Sequence, residues 1–286
     1  MRYPIVAGRF YSDRKSELIA QIESCYRHRL GPGNVPLLTP GGERKIVGAV
    51  TPHAGYEFSG PVAAHVYSSL AKDGFPETFV VIGGHLPLGR ASISTETFVT
   101  PLGEVKVDVD LAKKMHLPED PDVHYDEHAI EIQLPFLQHL NPEIKFVPVF
   151  VPAQDQHEAR EAGRKIGKAI EGRDVVIIAT TDLTHAGPNY GMLPPRGVRI
   201  QDFVKEKDAH AIEAILARDP DRLFNVVDEN EISMCGTGSV AAMLYALGKR
   251  AGYALLLKYA TSYEIYPSSS AVGYCGIVIR KAEELF

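Results

Sequence analysis

Cysteine is scarce in this chain. Cys25, Cys235 and Cys275 are too few and too scattered for a disulfide framework, and no CxxC pair offers a zinc or redox motif. A cationic excess is missing as well: 30 Lys and Arg against 36 Asp and Glu leave a formal net charge of −6. Neutralising a phosphate backbone needs the opposite balance, so a nucleic-acid partner is not expected. No apolar run is long enough to span a bilayer, and the opening ten residues lack an apolar stretch of signal-peptide length. No membrane association is therefore expected, and the default location is cytoplasmic. Internal repeats, low-complexity tracts and composition breaks are also absent, which favours one domain over residues 1–286.

What remains is a chain able to bury a core, with 45% hydrophobic and 23% charged residues. Lys45-Ile46-Val47-Gly48-Ala49-Val50-Thr51 is apolar without alternation, the mark of a strand covered on both faces. Pro52 cannot donate to a sheet ladder, so the strand should stop there and place His53 just past its carboxyl end. The same order of apolar run, stop and histidine recurs at residues 78–85, ending in His85, and at residues 175–185, ending in His185. In open α/β sheets the carboxyl ends of the strands are where ligands bind. Three strand ends each delivering an imidazole point to one site.

Helical patterns are expected over residues 12–29 with Ser12 or Asp13 as cap, and over residues 60–72, 127–140, 156–170 and 198–217. A further short one starts near Asp108, and another runs from the Gly-rich turn at Cys235 through Leu247. Residues 91–100 suggest a hairpin at the sheet edge, and strands at residues 144–150, 253–262 and 272–280 complete the set. Strands and helices alternating over most of the length imply an α/β sandwich in which a mostly parallel or mixed central sheet is flanked by helices.

Candidate chemistry gathers at these ends. A single core histidine is most often satisfied by a structural hydrogen bond, but His53 matched by His85 reverses those odds. Gly83-Gly84 removes side chains where the backbone must pass close to something. Asp182 and His185, on one turn after a buried strand, can pair as carboxylate and imidazole, although Asp182 and Thr184 could equally cap the loop. Cys235 stands directly ahead of a helix, where dipole and free N–H groups favour the thiolate. Cys25 and Cys275 read as inert buried thiols. Glu127 and Glu131 fall one helical turn apart beside an apolar stripe. Of the two, Glu127 reads as a solvated capping residue and Glu131 is the candidate catalytic carboxylate.

Five segments taken in order, Thr51-Pro52-His53-Ala54-Gly55-Tyr56, Gly84-His85-Leu86-Pro87-Leu88, Asp126-Glu127-His128-Ala129-Ile130-Glu131, Thr181-Asp182-Leu183-Thr184-His185 and Cys235-Gly236-Thr237-Gly238, resemble the Memo family. That family is similar in fold to the class III extradiol dioxygenases of the protocatechuate 4,5-dioxygenase type. The resemblance implies that His53, His85 and Cys235 are metal ligands, with Cys235 in place of the dioxygenases' carboxylate. It also implies that His185 is an acid/base group with Asp182 nearby. A thiolate in that place favours copper(I), zinc or a more reducing iron, so iron or copper comes first and zinc third. Animal members resemble adaptors for a phosphorylated receptor tail, which would make the ligand a peptide rather than a small molecule. This chain, however, shows no Arg cluster of the kind such readers use. Three readings stay open: a metal-dependent oxidoreductase, a hydrolase with Cys235 as nucleophile and His185 as base, and a non-catalytic binding protein.

Overall fold

The computed structural model describes residues 1–87 and 89–282; Leu88, part of the second family segment, lies outside them. Ten strands form one sheet: β1 (Ile46–Thr51), β2 (Thr78–Gly83), β3 (Ser92–Ile93), β4 (Phe98–Thr100), β5 (Gly103–Val107), β6 (Lys145–Phe150), β7 (Val175–Thr180), β8 (His185–Ala186), β9 (Ala251–Thr261) and β10 (Ala271–Lys281). The order β4-β5-β6-β2-β7-β1-β10-β8 runs across it, with β3 added on β6 and β9 on β10. From β5 to β1 every pairing is parallel, while β10 joins β1 antiparallel, so the sheet is mixed with a parallel centre.

The unbroken apolar runs find their reason here. β1, β2 and β7 are buried at every position because helices cover both faces. One face packs Val80, Ile82, Ile177 and Ala179 against helices Gln156–Ala169, Ile200–Leu216 and Thr237–Leu247. The other packs Phe79, Val81, Val176 and Ile178 against helices Lys15–Arg27, Tyr56–Asp73 and Leu134–Leu140. No helix among the described residues is long and apolar enough to cross a membrane.

Several local expectations need correction. Residues 127–140 are not one helix. Helix Pro121–Asp126 ends, Glu127 turns extended at φ −92° and ψ 120°, and a 3-10 turn Glu131–Gln133 leads into Leu134–Leu140. Residues 91–100 do not pair with themselves: β3 adds antiparallel to β6, and the edge hairpin is β4 with β5. Ser12 and Asp13 do not cap the first helix, whose N-cap Arg14 makes no side-chain cap bond. Helix Pro220–Glu229 was not expected, although its Asp219 cap, accepting the Arg222 N–H, and Pro220 in the first turn are ordinary N-terminal signals.

Candidate metal centre

β2, β7 and β1 are neighbours and parallel, so their carboxyl ends open on the same edge of the sheet. Just past those ends lie His85, Asp182 with His185, and His53. Together with Arg9, Phe10, Phe58, His128, Tyr190, Cys235 and Tyr274 they line one cavity of about 520 Å³. Cys235 is distant in sequence and reaches this edge through Gly236. A Cβ on that glycine would sit 2.1 Å from the Thr180 carbonyl oxygen, so only glycine lets the turn lie on the end of β7. Gly84 behaves alike: a Cβ there would meet the Val151 carbonyl oxygen at 2.0 Å. Its close approach is to a neighbouring loop rather than to a ligand.

His53 is buried, with Nε2 3.0 Å from Cys235 Sγ and Nδ1 3.0 Å from Thr180 Oγ1. Its backbone N–H donates to Asp182 Oδ1 at 2.9 Å, and the Ala54 N–H reaches the same oxygen at 3.3 Å. Burial pulls the His53 imidazole below its ordinary pKa and pushes the Cys235 thiol up, with the Asp182 charge adding to the latter. Both shifts disfavour the charged forms of the two side chains. The lowered thiol pKa expected from a position ahead of a helix is thus opposed by burial and by the Asp182 charge. Cys25 and Cys275 are buried free thiols, as expected.

His85 is oriented by a carboxylate that the sequence reading set aside. Glu127 is buried, its two oxygens lie 3.0 and 2.9 Å from His85 Nδ1, and it accepts the backbone N–H of His85 at 3.0 Å and of Ala129 at 2.6 Å. Burial opposes its charge, but the His85 ring and those N–H groups prevail and hold the carboxyl down at about 2. With Nδ1 given to Glu127, Nε2 of His85 is left as the free donor. His128 stands between the rings, with centroids 4.7 Å from His85 and 5.6 Å from His53, and burial lowers its pKa to about 4.

Potential donor atoms therefore fall into two groups, His53 with Asp182 and Cys235, and His85 with Glu127 and His128, each set within 4.8 Å. A family model described as Memo-like protein matches residues 2–278 of this chain. The chain belongs to the Memo family. A MEMO1 family protein of Methanopyrus kandleri is 41% identical over 98% of this chain and 99% of its own length. Relatives from Pyrococcus abyssi and Methanocaldococcus jannaschii are each 40% identical over 98% of this chain, and over 100% and 99% of their own lengths.

Within this Memo chain the expected partners are rearranged. Asp182 makes no hydrogen bond to the His185 ring, since its carboxylate is spent on the backbone around His53. His185 Nδ1 instead faces the carbonyl oxygens of Leu183 at 2.9 Å and Ser233 at 3.2 Å. Carbonyls only accept, so Nδ1 carries a proton and Nε2 is the nitrogen left to act as a base. The imidazole against Cys235 is that of His53 rather than that of His185, the base named in the hydrolase reading.

Glu131 does not line the cavity. Fully buried, it pairs with the Arg2 guanidinium and accepts the Ile5 and Val6 N–H groups at 2.9 and 3.1 Å and the Tyr11 hydroxyl at 2.6 Å. It is an anchor for the N-terminal segment, and the break in the helix after Asp126 is what turns it away from Glu127's side.

A further buried carboxylate supports the same edge. Asp208, on helix Ile200–Leu216, accepts the Thr184 N–H and the Tyr259 hydroxyl, both at 2.8 Å, next to His185. Burial raises its carboxyl from 3.8 to about 6, a cost of about 3 kcal/mol at pH 7. The proton is held more tightly folded than unfolded. This group's contribution to stability is therefore complete below about pH 4 and is lost as pH rises through about 6. Asp208→Asn should stabilise the protein at pH 7 by up to about 3 kcal/mol, a gain that vanishes below about pH 4. Urea denaturation of both proteins at pH 4 and pH 7 checks this, and an equal difference at both values would refute it.

Proposed function

We propose that this Memo chain is a metal-dependent oxidoreductase for a small molecule, with His53, His85 and Cys235 as ligands, Asp182 as a further donor within reach, and His185 as acid/base group. The observation that carries it is the 3.0 Å approach of His53 Nε2 to Cys235 Sγ on the wall of a cavity that His85 also lines. Donors around one ion, with bonds of about 2.0–2.3 Å, must come within about 4 Å of one another; His53 and Cys235 do, while His85 stands in the neighbouring donor group and joins them only if its ring moves toward the pair. The second support is outer-sphere: Thr180 Oγ1 occupies the far nitrogen of His53 and Glu127 that of His85, as ligating imidazoles require. Two imidazoles and a thiolate suit iron, copper or zinc, and a bound redox metal would supply one-electron chemistry. The protein's own part is to orient both imidazoles, to keep the aromatic cavity poor in water and to take a proton at His185 Nε2.

Metal titration of anaerobically purified protein tests this. Wild type should bind iron, copper or zinc, and Cys235→Ser should bind at least about tenfold more weakly, because a neutral hydroxyl replaces a soft anion. His185→Ala should keep wild-type metal content. Undiminished affinity in Cys235→Ser would end the reading.

A further inference from the structure

The turn that carries Arg9 and Phe10 is built with more structure than an exposed surface turn needs. Its backbone closes on itself through Gly8 N–H to Tyr11 O at 2.7 Å and Phe10 N–H to Val6 O at 2.8 Å. The Tyr56 N–H, at the start of the helix that follows His53, pins Phe10 O at 2.8 Å. Buried Glu131 then holds the turn from behind through the Val6 N–H and the Tyr11 hydroxyl. What all this fixes is the backbone that carries two side chains to the cavity. The Phe10 ring meets His128 edge-on at 5.1 Å, and the exposed Arg9 guanidinium sits 5.9 Å from the Phe10 centroid. Arg9 makes no ion pair among the described residues.

The rest of the lining makes Arg9 distinctive. Asp182 is the one carboxylate among the lining residues, and its charge is already turned toward two backbone N–H groups. The other ionisable side chains there are imidazoles, tyrosines and the Cys235 thiol, so Arg9 is the permanent cation of this cavity. Phe10, Phe58, Tyr190 and Tyr274 supply flat apolar walls. A smaller recess of about 180 Å³ continues from Phe58, Tyr190 and Tyr274 toward Ser262, Ser268 and Ser270. Pockets of this kind take mostly apolar ligands and use a few polar groups to fix orientation.

We propose that the cavity binds a small aromatic acid, its ring held among Phe10, Phe58 and Tyr190 and its carboxylate read by the unpaired guanidinium of Arg9 at the mouth. This rests on the small-molecule reading above but not on the metal. A guanidinium pairs with a carboxylate through parallel N–H donors, and an aromatic face accepts a ring at little entropic cost. The acid group at the mouth leaves the ring directed inward, toward His53, His85 and His185.

The probes are benzoate, benzyl alcohol and cyclohexanecarboxylate, titrated by calorimetry or ligand-observed NMR into wild type and Arg9→Gln. Each titration is run without metal and with zinc, with metal content measured on the same samples. Wild type should bind benzoate more tightly than either other probe. Arg9→Gln should weaken benzoate by about tenfold, the usual worth of a charge-assisted contact, and leave benzyl alcohol unchanged. Phe10→Leu should weaken both aromatic probes and spare cyclohexanecarboxylate. Failure of wild type to bind benzoate in either state, or an equal effect of Arg9→Gln on all three probes, would overturn the proposal. Loss of zinc binding with the Arg9 effect intact would instead count against the metal reading alone.

Discussion

Arg2→Ala should destabilise the fold by about 3–5 kcal/mol, the range for removing one partner of a buried ion pair. The guanidinium is 1% exposed and its partner Glu131 is 0% exposed, so solvent cannot replace either. Besides Glu131, Arg2 donates to the carbonyls of His124 at 3.1 Å and Glu127 at 2.6 Å and lies 5.2 Å from the Phe98 ring centroid. The substitution thus strands a carboxylate in the interior and two carbonyls beside it. It should also loosen the turn at Arg9 and Phe10, because the same carboxylate holds Ile5, Val6 and Tyr11. Denaturant unfolding measures the loss. The double variant Arg2→Met, Glu131→Leu should recover part of it, since no unpaired charge is left. A loss below about 1 kcal/mol would show that the pair is solvated, contrary to its burial.

Glu127→Gln should weaken metal binding by about 10–100-fold without touching a ligand. The carboxylate sets the His85 ring by accepting at Nδ1, and it fixes the backbone on either side through the His85 and Ala129 N–H groups. A glutamine side chain keeps the volume but has one acceptor oxygen for three donors, and the charge that raises the basicity of His85 is gone. The tautomer populations of His85, read by nitrogen NMR of the apoprotein, should become mixed where wild type shows proton on Nδ1. Unchanged affinity with a mixed tautomer would mean that His85 is not a ligand. Unchanged affinity with an unchanged tautomer would mean that its orientation comes from elsewhere.

The difference between what was legible and what was not follows from range. His53, His85, Asp182 and His185 could be placed from sequence because a fully buried parallel strand has a local signature, and where it stops fixes which residue comes next. Once β1, β2 and β7 are read as strands, parallel pairing alone brings their ends to one edge. Cys235 was legible for a similarly local reason, since it stands directly ahead of a Gly-rich turn that opens a helix. Family membership was carried by the same segments and spans residues 2–278.

Tertiary structure alone decided the pairings. Glu127 and Glu131 are alike in type and lie four positions apart, and the local pattern placed both on one helix. The chain breaks after Asp126, and that break sends Glu127 to the His85 ring and Glu131 to Arg2, which is 129 residues away in sequence. Asp182 went to the backbone of His53 rather than to its neighbour His185, because two N–H groups converge on it and carbonyls already occupy the imidazole. The upward shift of the Cys235 thiol likewise comes from burial and from the Asp182 charge, which depend on the protein packed around the sulfur. Sequence determined which residues reach the edge of the sheet, because strand ends are local. Which residue bonds to which, and with what charge, depends on distances between remote segments, and only the packed fold sets those.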